Sequence, residues 1–86
     1  MHPYNSDHPS GVVAYGFAAT GIIIQFAKGG YYLYDLDKPG PAHVKNMVLL
    51  AQKGTGLSTY ISQHSAVRDN YKAKEEDLQT LIKSLS

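Results

Sequence analysis

The sequence predicts a small α+β domain: a three-stranded antiparallel β-meander covered by two consecutive helices, with a further amphipathic helix at the C-terminus. Three observations point there. β-branched and aromatic residues concentrate before Asp37, in short runs parted by glycine. Apolar residues then recur at helical spacing from Val44 to Ile61. A last stripe of Leu78, Leu81, Ile82 and Leu85 repeats the helical period near the end of the chain.

Residues 1–10 are polar and carry two prolines, which reads as a flexible arm. Val13, Tyr15 and Phe17 alternate with smaller residues, as a first strand requires. Ala18 to Gly21 reads as a turn. The run from Ile22 to Ala27 is the clearest strand, because its three consecutive isoleucines are stiff at χ1. Lys28-Gly29-Gly30 follows as a three-residue hairpin loop, in which a glycine takes the left-handed conformation at no steric cost. With that loop, Phe26 faces Tyr32, Ile24 faces Tyr34 and Ile22 faces Leu36. One face of the hairpin is then large and apolar. The other is mixed, with Ile23, Gln25, Tyr31, Leu33 and Asp35. Gly29, Gly30, Tyr32 and Tyr34 form the structural motif of this reading.

Pro41 suits the first turn of a helix, where its missing N–H is not needed. Val44, Met47, Val48 and Ala51 make the inner stripe of that helix, and Lys53 with Gly54 ends it. A shorter helix follows from Thr55 or Gly56, with Leu57, Tyr60, Ile61 and His64 on one face. Asp69 or Asn70 is placed to cap a third helix, with Glu75, Glu76 and Asp77 nearer its N-terminal end. The stripe of this helix is expected to dock on the mixed sheet face beside Ile23 and Leu33, or to pair with its copy in a dimer. The organisation is thus an arm over 1–10, a domain over 11–71 and a helical extension over 72–86.

A domain of 86 residues has a small core and marginal stability. It holds no cysteine, so no disulfide reinforces it. Self-association is one way to supply the difference. The net charge of +1 argues against a strongly basic nucleic-acid clamp, and no DNA partner is expected. The N-terminus lacks the basic and apolar regions of a signal peptide, and the longest apolar run is too short to cross a bilayer. A cytoplasmic protein without a membrane role is expected.

No motif for chemistry stands out. His2, His8, His43 and His64 lack the spacing of paired metal ligands on one helix, so no metal or cofactor is expected. Gly54-Thr55-Gly56 lacks both phosphate-binding glycine frames and joins two helices. Ser58, Ser62, Ser65 and His64 lack a nucleophile elbow. An enzyme is not expected, nor is a small-molecule substrate. Tyr31, on the mixed face, is the best candidate for a stacking surface. With Leu33 and the cations Lys28, Lys45, Lys53 and Arg68 it makes up the candidate interaction surface.

The ordered series Tyr15-Gly16-Phe17, Ile22 to Phe26, Gly29-Gly30, Tyr32-Leu33-Tyr34, Ala42 to Gln52 and Gly54 to Ile61 resembles the KTSC domain. That module is named for its occurrence at the C-terminus of some lysyl-tRNA synthetases, and it also occurs as a free-standing small bacterial or phage protein. The resemblance covers residues 11–71. Leu57 and Ser58 stand where the family has aromatics and an asparagine, and Lys72 to Ser86 lie beyond the module. It implies the fold above, no established activity, and a hint of RNA binding. The expected function is a non-catalytic interaction module with a protein partner or a second copy of itself. The alternative is a weak RNA-binding protein that uses the strand tyrosines and the hairpin lysines.

Overall fold

The computed structural model describes residues 2–4, 11–27, 29–54 and 56–84 of the chain. The class is α+β. Among the described residues five strands form one antiparallel sheet in sequence order: β1 (His2–Pro3), β2 (Val12–Ala18), β3 (Gly21–Phe26), β4 (Tyr31–Asp35) and β5 (Ala73–Glu75). Four helices accompany them: α1 (Pro41–Lys53), α2 (Leu57–Gln63), α3 (Ser65–Arg68) and α4 (Leu78–Ser84). The expected three-stranded meander is the centre of this sheet, and it gains a short strand at each edge.

The β3–β4 pairing differs from the expected register. Ile24 faces Tyr32 and Ile22 faces Tyr34, and the Phe26 N–H donates to the Gly30 carbonyl. The partners have slid by two residues. Because side chains alternate with a period of two, such a slide keeps each one on its expected face. Gly29 and Gly30 both have positive φ, as the turn demands. Leu36, expected opposite Ile22, lies past the end of β4 and is exposed.

A second difference is a β-bulge at Val13, between Val12 and Ala14. It sends Val12 into the core and leaves Val13 exposed, so the expected Val13/Tyr15/Phe17 alternation begins one residue off. The Val13 carbonyl accepts the Tyr4 N–H at 2.9 Å.

The first sheet face carries Val12, Ile22, Ile24 and Tyr34. These pack against Val44, Met47 and Ala51 of α1, Leu57 and Ile61 of α2, and Val67 of α3. The expected α1 stripe is thus its buried face, and Gly54 at φ 83° terminates the helix. Gly56, at φ 86°, starts α2, so Gly54 and Gly56 bend the chain between two helices as expected.

Residues 2–4 do not form part of a loose arm. His2 and Pro3 pair with Tyr15 and Ala14, and Tyr4 is buried in the first core. Its hydroxyl accepts the Leu57 N–H at 3.0 Å, satisfying one of the free donors at the start of α2. The rest of the expected arm lies outside the described residues, apart from these three.

The expected third helix starts later than its expected cap at Asp69 or Asn70. The unexpected short α3 ends before that cap, Ala73–Glu75 join the sheet beside β4, and only then does α4 begin. Leu81 of α4 packs with Ile23 and Leu33 on the second sheet face, flanked by Leu78, Tyr31, Ala18 and Ala73. The helix therefore docks within the chain, on the mixed face. Leu85, the last member of its expected stripe, lies outside the described residues.

Candidate functional site

The hairpin turn, α2 and the segment that follows α3 enclose a groove of about 470 Å³, lined by Phe26, Tyr32, Tyr34, Ile61, Ser58, Ser62, Arg68, Asp69 and Tyr71 among others. Its origin is local. Phe26 and Tyr32 end β3 and begin β4 on the first face. Ser58, Ile61 and Ser62 share one side of α2, because residues three and four apart on a helix are neighbours. Ser58 Oγ accepts the Gly11 N–H at 3.3 Å and so ties α2 to the start of β2.

Tyr32 is the centre of the aromatic wall. Phe26 and Tyr71 each meet it edge-to-face, both at a centroid separation of 4.9 Å. Tyr34 lies stacked at 6.4 Å, and the Lys74 ammonium is 5.2 Å from the Tyr32 centroid. Contact with Tyr32 raises the pKa of Lys74 above the ordinary lysine value. Tyr34 forms the floor and is 1% exposed. Burial first, then the nearby Tyr32 and Tyr71, holds its phenol pKa well above the ordinary tyrosine value.

Charge at the rim is largely matched. The Arg68 guanidinium donates from Nε and Nη2 to the two Asp69 carboxylate oxygens, at 3.3 and 3.2 Å. Lys72, on the chain between groove and sheet, pairs with Asp37 at 2.8 Å.

The candidate interaction surface read from the sequence is not assembled. Leu33 is not on the surface: it is 1% exposed and belongs to the second core, because α4 covers it. Tyr31 is half-buried against that same cluster, and its cross-strand partners are Gln25 and the acidic Glu75. Lys45 and Lys53 are exposed on α1, which packs on the opposite side of the sheet from Tyr31. Arg68 alone reaches the groove. Lys28 lies outside the described residues.

Phe26, Ser58, Ile61, Ser62, Asp69 and Tyr71 line the groove without having been read from the sequence as site members. Tyr71 follows a short helix in no periodic pattern, so nothing in the sequence marks it. A further constellation was also hidden. His43 on α1 and His64 after α2 lie 5.8 Å apart by ring centroid, and Tyr60 meets both rings. His64 contacts Tyr60 and His43, and the Ser58 hydroxyl accepts the Gly11 N–H.

A shallower depression of about 450 Å³ lies on the other side of the sheet, where Phe17, Ala18 and Ile23 meet Leu78 and Ile82. Phe17 and Ile82 are about half exposed, at 49% and 51%. Among the described residues no helix is long and apolar enough to cross a membrane.

Comparison with protein-family models, with curated proteins and with solved structures finds no match for this chain.

Proposed function

We propose that the chain is a small non-catalytic interaction module, of the KTSC-like kind its motif order resembles, whose docking site is the aromatic groove. The observation that carries this reading is the state of the strand tyrosines. A base-stacking platform needs a free ring face and unmatched cations to follow the phosphates. Tyr34 is the floor of a core, and Tyr32 is surrounded by Phe26, Tyr71, Tyr34 and Lys74. Arg68, a cation of the groove lining, is already held by Asp69. What remains open is an apolar trough with Arg68 and Asp69 paired at its rim and two serine side chains, which suits the apolar side chains of a protein segment. Its volume falls within the range of about 300–1,000 Å³ typical of ligand pockets. The occupant is a short apolar stretch of a second protein, met in the cytoplasm.

A groove-filling variant tests it. Ser62 is exposed at the rim, so Ser62→Trp should fold normally and obstruct the trough. Capture from RNase-treated and untreated lysates is then compared for the parent and the variant. A protein retained by the parent after RNase treatment and lost with Ser62→Trp supports the reading. Retention by both, or no protein that distinguishes them, sinks it. Capture that vanishes with RNase supports the RNA-binding alternative.

A further inference from the structure

We propose that the occupant of the aromatic groove is a proline-rich segment in the polyproline II conformation, with one of its backbone carbonyls accepting the Tyr34 hydroxyl. The inference rests on the reading of that groove as a docking site for a protein segment, and it names the kind of segment.

The first observation is an unused donor at the floor. Tyr34 is 1% exposed and lines the groove. Among the described residues its hydroxyl has no hydrogen-bond partner, and no side-chain oxygen or nitrogen is both sealed from solvent and unpartnered. The hydroxyl therefore keeps contact with the outside, and the groove is the opening that Tyr34 lines. Burial holds its phenol pKa well above the ordinary tyrosine value, so the group stays a neutral O–H donor at neutral pH. A buried donor without a partner is costly, so a ligand that brings it an acceptor gains affinity.

The second observation is what surrounds that donor. Ser58 Oγ accepts the Gly11 N–H, which leaves its own hydrogen to donate. The Asp69 carboxylate receives two Arg68 nitrogens. The lining thus offers donors more readily than acceptors. Its complement is a segment rich in carbonyls and poor in N–H groups, and proline keeps its carbonyl while lacking the N–H.

The third is form. Phe26 and Tyr71 each meet Tyr32 at 4.9 Å, with interplanar angles of 87° and 88°. The two outer rings are no more than twice that separation apart, and one polyproline II turn rises about 9 Å, so the wall seats about one turn. Aromatic-lined grooves take such segments because the extended helix is already formed before binding. The other peptide modes fit less well. An α-helix spends its carbonyls on its own N–H groups, so it has none for Tyr34. An added strand needs a free sheet edge. Phe26, Tyr32 and Tyr34 instead belong to β3 and β4, which have a strand paired on either side.

The test is NMR titration of the full chain with two capped peptides of equal length. One is all proline between terminal lysines; the other has alanine and leucine in place of every proline. Neither has an aromatic ring, so every aromatic signal comes from the chain. The proline peptide should shift the Phe26, Tyr32 and Tyr71 ring resonances and bind at least tenfold more tightly than the other. Tyr34→Phe keeps the ring and deletes the donor, and should weaken binding by about fivefold, as loss of one neutral hydrogen bond does. Ser62→Trp should abolish it, and this rim variant keeps the test decisive should Tyr34→Phe unfold by circular dichroism. No binding of the proline peptide, equal affinity for both peptides, or full affinity in folded Tyr34→Phe overturns the inference. The docking reading survives that outcome where a captured lysate protein is still lost with Ser62→Trp, and falls with it where capture ignores Ser62→Trp.

Discussion

On the first face of the sheet the core is assembled from almost the whole chain, from Tyr4 through Val67, and three consecutive helices close it. On the second face Ile23 and Leu33 are covered by Leu81 from one seven-residue helix. The first face shares its load among many contacts, so no single side chain is decisive for closure. The second has a single fully buried covering residue, Leu81, with Leu78 beside it. A sheet of this size can thus be shielded on both sides by a short sequence, provided one side is built thinly.

The sharpest way to break this contrast is at the first face. Tyr34→Ala should cost about 3–4 kcal/mol, the range for large-to-small changes in a core, and be read by chemical denaturation. A variant that melts with the parent would mean that Tyr34 is not core. Tyr34 also sets a pH limit. Its folded-state pKa is raised above the unfolded value of about 10, so the stability it contributes is complete below that pH and is lost as pH rises beyond it. Tyr34→Phe should reduce the alkaline loss of stability.

The second face should yield less and more locally. Leu81→Ala should cost about 2–3 kcal/mol. Hydrogen exchange should accelerate in α4 and β5 while α1 stays protected. Equal acceleration in α1 would show that the two faces form one cooperative unit.

Smaller still is the effect of the buried bond between Tyr4 and Leu57. Tyr4→Phe keeps the packing and deletes the acceptor, so about 1 kcal/mol should be lost in a thermal melt. No change would mean that water replaces the hydroxyl at the start of α2. The least effect belongs to the exposed pair of Lys72 and Asp37. The hydrogen bond from Lys72 lowers the Asp37 pKa, so its contribution is present above the unfolded carboxylate pKa and is lost as pH falls through the folded one. Exposure screens the pair, and Asp37→Asn should leave the melting temperature nearly unchanged at neutral pH.

The contrast between faces also marks what the sequence could disclose. The first face was readable because the isoleucine strand and the Val44/Met47/Ala51 stripe have unmistakable periods. The need to cover the last apolar stripe gave docking beside Ile23 and Leu33 as one of two expectations, pairing with a second copy being the other. The register slid by two because consecutive glycines accept positive φ at either position, and alternation is blind to an even shift. The bulge at Val13 was hidden because Val12 and Val13 are chemically alike. Tyr4 was hidden among polar residues and prolines. β5 escaped because Lys74 and Glu75 are charged and resemble a helix start. Tyr71, and the meeting of His43 with His64, depend on how separate segments converge, and local spacing carries no record of that.

The two outermost strands have a consequence for solubility. β2 and β4 are the long strands on either side of β3, and each would present unpaired N–H and C=O groups if left at the border of the sheet. Instead β1 has two residues, one of them Pro3, which has no N–H to offer a newcomer, and β5 has three, centred on exposed Lys74. Short, proline-bearing or lysine-bearing borders discourage strand addition by a neighbouring molecule. Loss of residues 2–3 or 73–75 would therefore bare a longer template. Such a chain should tend towards edge-to-edge aggregation even where its central core still folds.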